Sequence, residues 1–180
     1  IFEDMNKGKV KGAFFFGQNP AVGGPDTNRE TQALANLDWM VAVDLWQTET
    51  ANFWHHPYGG PPADVKTEVF LLPASASFEK EGSISNSGRW AQWRYKAVEP
   101  LGMAESDLWI LDQLVREIKR VYGNEGGKFP DPIVNLTWDY EGGEEGIDVH
   151  KVAKEINGYD DTTKKQVPSF AVLKDDGTTV

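Results

Sequence analysis

The chain has 180 residues, enough for one domain with a sizeable core. Its hydrophobic content of 39% and aromatic content of 12% are those of a folded protein and argue against a disordered chain. With 18 Lys and Arg against 28 Asp and Glu the net charge is −10, which excludes duplex nucleic acid as a partner, since neutralising phosphates needs clustered cations.

No Cys occurs. These residues therefore hold no thiolate nucleophile, no disulfide, no Cys-ligated zinc and no iron–sulfur cluster. No apolar run approaches the ~18 residues of a membrane span, so direct membrane insertion is not expected.

In chain order, Val10 to Phe16 predicts a first strand, a short run of β-formers stopped by Gly17. It feeds the small-residue loop Gly17-Gln18-Asn19-Pro20-Ala21-Val22-Gly23-Gly24-Pro25. Thr27 to Leu37 predicts a helix, capped by Asp26 or Thr27, with Leu34 and Leu37 facing inward. Trp39 to Trp46 predicts a second strand, so the three elements form a βαβ unit with a parallel pair. A short helix is expected over Thr50 to Trp54, followed by a Pro/Gly loop carrying His55 and His56.

Glu68 to Leu72 predicts a third strand, and Trp90 to Val98 another. The strongest helix signal runs from Asp107 to Tyr122, with Ser106 as N-cap, Gly123 as stop, and Leu108, Leu111, Val115, Ile118 and Tyr122 at helical spacing. Beyond it lie acidic Gly-rich loops, a short helix from Val149 to Ile156, a last strand from Ser169 to Leu173, and a closing hairpin turn at Asp175 to Val180.

In a parallel sheet, ligands sit beyond the carboxyl ends of the strands, where the loops diverge. Asn19 follows the first strand and Val43-Asp44 closes the second, so Asn19 and Asp44 are expected at one edge. An Asp there can accept paired hydrogen bonds from a ribose diol or a guanine edge; a turn Asn and a helix-capping Asp explain the same residues. The loop is not G-x-G-x-x-G, so the usual dinucleotide fingerprint is missing. Lys80, Arg89, Arg94 and Lys96 form a cation cluster suited to a diphosphate, or to a solvated strand edge. Asp107 reads as a first-turn acid favoured by the helix dipole. Adjacent histidines lack the i, i+4 spacing that aims two imidazoles at one ion, so no metal site is expected.

Five segments in order carry a family resemblance: Gly17-Gln18-Asn19-Pro20, Val43-Asp44 with Thr48-Glu49-Thr50-Ala51, Val69-Phe70-Leu71-Leu72-Pro73-Ala74, Phe78-Glu79-Lys80-Glu81-Gly82-Ser83, and Ser106-Asp107-Leu108-Trp109. Together they resemble the molybdopterin-dependent oxidoreductases. Ser85-Asn86-Ser87-Gly88-Arg89-Trp90-Ala91-Gln92-Trp93-Arg94 is most similar to the large subunit of the respiratory tungsten- or molybdenum-containing formate dehydrogenases.

The resemblance implies an α/β fold, a Rossmann-like parallel-sheet domain in a three-layer sandwich. Residues 1–125 would form the domain that binds molybdopterin guanine dinucleotide. Residues 126–180 would be a loop-rich extension of it, truncated at the C-terminus. It implies cofactor contacts at Asn19, Val43, Asp44, Lys80 and Asp107, with no catalytic or metal-ligating residue in this segment. The 4Fe-4S cluster and the Mo or W ligand would belong to the rest of the large subunit, whose partner is an iron–sulfur electron-transfer subunit. A periplasmic location follows from the family, with a cytoplasmic one left open. Two other readings remain: a piece of a nitrate reductase-like sister enzyme, or a free-standing nucleotide-binding module.

Overall fold

The computed structural model describes residues 1–88, 91–157 and 162–165. These divide into two compact units, residues 1–75 with 101–104, and residues 76–100 with those from 105 onward.

The first unit is built on three parallel strands, β1 (Gly12–Phe16), β2 (Trp39–Asp44) and β3 (Glu68–Pro73), in the order β1-β2-β3. A mixed α/β fold with a parallel sheet is what the sequence predicts. The register sets Phe16 beside Val43 and Val43 beside Leu72, so all three strands end together. The second strand is shorter than expected. The Leu45 N–H donates to Asp44 Oδ1 at 2.8 Å and the chain turns outward, leaving Leu45 and Trp46 exposed.

Helices α1 (Phe2–Asn6) and α3 (Thr27–Leu34) and a 3-10 segment (Thr50–His55) belong to the same core. Side-chain alternation along the strands sends Ala13, Phe15, Met40, Ala42 and Val69 into it. There they join Met5, Ala33, Leu34, Leu37 and Phe53. Asp26 caps α3 by accepting the Arg29 N–H at 3.1 Å, as predicted. The helix stops at Leu34 rather than Leu37, because tighter bonds from Asn36 N to Ala33 O and Leu37 N to Leu34 O close it. Leu37 stays buried all the same. The Thr67 hydroxyl lies 2.9 Å from both the Leu34 and Leu37 carbonyls and ties this end to the start of β3.

On the other face of the sheet, the Trp39 ring packs edge-on against Phe14, with centroids 5.3 Å apart. It lies over Gly12, where an added Cβ would fall 2.1 Å from the indole. Only glycine lets that ring cross β1.

The second unit holds an antiparallel hairpin, β4 (Gly82–Ser85) with β5 (Ala91–Arg94), and helices α4 (Asp107–Glu125), α5 (Asp131–Val134) and α6 (Val149–Asn157). The segment expected as a loop-rich extension falls in this unit. β5 is shorter than the predicted strand, since Tyr95 leaves the ladder and the Ala97 N–H donates to the Phe78 carbonyl instead. β4 carries one exposed apolar residue, Ile84, and so gives no alternation to read.

Helix α4 runs past Gly123 and stops at Gly126, whose φ of 71° is the left-handed turn that glycine adopts freely. Its inner face is centred on Ile110 and Asp112, whereas Leu111 is exposed. Asp112 is drawn inward because Oδ1 accepts the Trp138 indole N–H and Oδ2 accepts Arg116 Nε, each at 2.8 Å. Burial opposes its ionisation, but these bonds and the Arg116 charge hold its carboxyl below the usual range. The strand predicted over Ser169 to Leu173 and the hairpin at Asp175 to Val180 lie outside the described residues.

Phe53 is fully buried in the first core. Phe53→Ala should cost about 3–5 kcal/mol through lost burial and the cavity left behind. Denaturant unfolding of the chain reads this directly, and a loss within the error of the transition would deny Phe53 that place.

Candidate functional site

The carboxyl edge of the parallel sheet is organised by backbone bonds that continue the ladder past the strand ends. Gly17 N donates to the Val43 carbonyl at 2.9 Å, and Ala74 N donates to the Asp44 carbonyl at 3.0 Å. Gly17 sits at φ +56°, which turns β1 sharply into the following loop. Asn19 and Asp44 thus stand at the same edge, as their positions in the sequence predict.

Asn19 is occupied by protein partners. Its Oδ1 accepts both the Thr50 N–H at 3.0 Å and the Thr50 hydroxyl at 2.8 Å, while Nδ2 donates to Glu49 at 2.7 Å. Thr50 is fully buried, and its hydroxyl oxygen also accepts the Ala21 N–H at 3.1 Å. Asn19 therefore fastens the loop after β1 to the segment after β2. It leads into a single helical turn, α2 (Pro20–Gly23), that the loop-rich sequence had hidden. Thr50 is the residue that the sequence argument missed as a site component. Its only signal was its place in Thr48-Glu49-Thr50-Ala51.

Val43 is fully buried and contributes its carbonyl to the edge. Asp44 is half-buried and gives Oδ1 to the Leu45 N–H, while Oδ2 has no partner among the described residues. That oxygen is a free acceptor, and Oδ1 keeps a second lone pair beside the Leu45 bond. The Asn19 bond is the largest influence on Glu49, holding its carboxyl below the usual value.

The second unit contains a separate pocket of about 430 Å³. Lys80, Glu81 and Gly82 line it from the start of the hairpin, Arg94 from β5, Asp107 from the start of α4, and Val149 from α6. Lys80 Nζ donates to Asp107 Oδ2, so the structure brings these two predicted residues together as an ion pair. Ser106 caps α4 by accepting the Trp109 N–H at 3.1 Å, and its hydroxyl donates to Glu145 at 2.9 Å. The Trp93 indole N–H donates to Glu81 at 3.0 Å, and Trp93 stacks on His150 with centroids 4.8 Å apart. His150 Nε2 in turn lies 3.5 Å from Glu81.

The four cations of the sequence cluster separate on this frame. Lys80 faces Asp107, and Lys96 lies between Glu99 and Glu144, whose carboxylates raise its pKa. Arg94 makes no hydrogen bond or ion pair among the described residues, and Arg89 lies outside them. His55 closes the 3-10 segment and His56 begins the loop after it, against Trp54 and Tyr58 respectively. Among the described residues no group of three His, Asp or Glu side chains is placed to hold a metal ion, and no helix is long and apolar enough to cross a membrane.

The family model described as molybdopterin oxidoreductase matches residues 1–117. Formate dehydrogenase subunit alpha of Megalodesulfovibrio gigas is 41% identical over 99% of this chain and 19% of its own length. Formate dehydrogenase 2 subunit alpha (cytochrome c-553) of Nitratidesulfovibrio vulgaris is 43% identical over 99% of this chain and 18% of its own length. The nitrate-inducible formate dehydrogenase major subunit of Escherichia coli is 40% identical, again over 99% of this chain and 19% of that protein. The chain thus spans about a fifth of the length of these relatives. Among solved structures, acetylene hydratase from Pelobacter acetylenicus shares the fold at a TM-score of 0.51 and 18% identity, over 98% of this chain and 26% of that one.

The Asn19–Glu49 bond sets a pH dependence. Glu49 is depressed in the folded state, so the contact is present above the ordinary value of 4.5 and is lost as pH falls through the lower folded value. Asn19→Ala should return the Glu49 titration towards 4.5, read by carboxyl carbon NMR. It should also loosen the Gly17–Gly24 loop by about 1–3 kcal/mol, since two Thr50 donors lose their acceptor. An unmoved Glu49 titration would contradict the assigned bond.

Proposed function

Since the chain belongs to the molybdopterin oxidoreductase family, we propose that it forms part of the large subunit of a formate dehydrogenase and grips a molybdopterin guanine dinucleotide. The observation that carries this reading is the free Oδ2 of Asp44 at the carboxyl edge of a parallel sheet, beside the loop that Asn19 holds in place. A guanine edge or a ribose diol presents two donors to such a carboxylate. The donor and acceptor set fits that ligand.

In this reading Asp44 accepts from the nucleoside, and Asn19 with Thr50 keeps the loop close enough for its backbone to line the ligand. Val43 closes the edge with apolar bulk. Lys80 and Asp107 bind as a pair, with Asp107 orienting the ammonium group. The bound molybdenum or tungsten centre supplies the two-electron chemistry by which formate becomes CO₂, and these residues bind and orient it. With no Cys in the chain, the ligands of a 4Fe-4S cluster lie in the remainder of the subunit. An iron–sulfur subunit receives the electrons. A periplasmic site of action accords with the family reading.

Asp44→Ala in the full-length subunit should lower both metal and guanine content, measured by elemental analysis and by nucleotide released on acid treatment. Loss of two hydrogen bonds to the carboxylate corresponds to about 1.5–3 kcal/mol for each bond. Unchanged contents would remove Asp44 from the grip. The 180-residue chain by itself should oxidise no formate whatever metal is supplied; turnover in a dye-reduction assay would overturn the division of labour proposed here.

A further inference from the structure

We propose that His150 is a proton-controlled latch of the second unit, one that holds α6 against the β4–β5 hairpin when the imidazole is charged and lets the helix loosen when it is neutral. The latch acts on a wall of the pocket whatever the pocket holds, and so stands apart from the dinucleotide reading. Three side chains from separate segments meet at the contact. The Trp93 indole N–H of β5 donates to Glu81 Oε1 at 3.0 Å. The His150 ring of α6 stacks on Trp93 with centroids 4.8 Å and planes 24° apart, and its Nε2 lies 3.5 Å from the same Glu81 oxygen.

Helix α6 has nine residues, too few to persist without packing. Its docking matters to the pocket, because Val149 and Val152 line that space while Ala153 is buried. The other fastenings of the helix do not titrate near neutrality. Tyr140, which its bond to Glu155 pushes up to about 12, keeps its proton there, and Lys151 Nζ donates to the Glu141 carbonyl at 2.6 Å. Asp148 Oδ1 accepts the His150 N–H at 2.9 Å, so a carboxylate stands at the helix start and offsets the dipole that disfavours a cation in the first turn. Of the remaining charged groups that line the pocket, Lys80 and Asp107 meet as a pair, and Arg94 is the cation that opposes a charged imidazole.

Carboxylates are ordinarily ionised above about pH 5.5, whereas an imidazole ordinarily takes up its proton at about pH 6.5. Acid therefore adds a cation between a fixed carboxylate and an aromatic face, gaining an ion pair and a cation–π contact together. Base removes the charge and leaves the stack alone. The His150 and Glu81 side chains are 42% and 33% exposed, so the proton comes from the medium and solvent screening keeps the gain modest. His55 and His56, the other histidines of the chain, belong to the first unit, so this pH range singles out His150 in the second.

The test is amide hydrogen exchange of the full-length subunit, read by mass spectrometry at about pH 5.5 and about pH 7.5, with rates corrected for the intrinsic effect of pH. Peptides from α6 should be protected about 3- to 10-fold more at the acid pH, while peptides from α4 keep the same protection at both. His150→Gln should abolish the difference. Glu81→Gln, which keeps an acceptor for Trp93, should shrink it. Unchanged α4 protection shows that each variant has folded, and the comparison of the unaltered protein at the two pH values needs no variant at all. Equal α6 protection at both pH values in the unaltered protein, or a difference that survives His150→Gln, would overturn the latch. A difference untouched by Glu81→Gln would overturn the Glu81 pairing on which it rests.

Discussion

Parallel pairing with the strand ends in register is the constraint on which the rest depends. Because Phe16, Val43 and Leu72 lie side by side, the loops that follow them leave from one line. The Gly17-to-Val43 and Ala74-to-Asp44 bonds carry that line one residue further, so backbone polar groups at the edge are partly satisfied before any ligand arrives. Side-chain acceptors can then be left over. Asp44 retains one, whereas Asn19 spends its oxygen on a buried threonine. Two residues at one edge of the sheet thus differ, one keeping a free acceptor and the other holding the scaffold together.

The same economy governs the second unit. Its pocket is lined by equal numbers of opposite charges, Lys80 and Arg94 with Glu81 and Asp107, and Lys80 and Asp107 meet as an ion pair. Counting cations in the sequence could not distinguish these cases. Lys80, Arg94 and Lys96 have the same sign and lie close together, yet each meets a different electrostatic environment. Charge type is local information, while compensation depends on what the fold brings near.

Much of the first unit was legible. β1, α3 and β2 follow from apolar runs bounded by Gly17, Asp26 and the polar segment after Trp46, and a short connection through a helix forces the parallel arrangement. The errors share one cause. Leu37, Trp46 and Gly123 mark element ends by residue type, but the real ends are set by bonds: the tight turns after Leu34, Asp44 gripping Leu45, and helical hydrogen bonding that continues to Glu125. β4 and α2 were invisible because Gly-Ser-Ile-Ser and Pro-Ala-Val-Gly have no periodicity to detect. Likewise, Leu111 fits the helical spacing but loses its buried place to Asp112, an acid drawn inward by Arg116 and Trp138.

By itself the sequence determined the fold class, the family likeness, the absence of Cys from these residues, and which residues stand at the carboxyl edge of the parallel sheet. These follow from local pattern and composition, which need no knowledge of distant neighbours. Only the tertiary structure decided which of those residues is free to bind. Availability depends on hydrogen bonds and ion pairs between residues far apart in the chain, such as Asn19 with Thr50 and Lys80 with Asp107. A side chain's chemistry is written in its type, but whether that chemistry is already spent is settled by its neighbours in space.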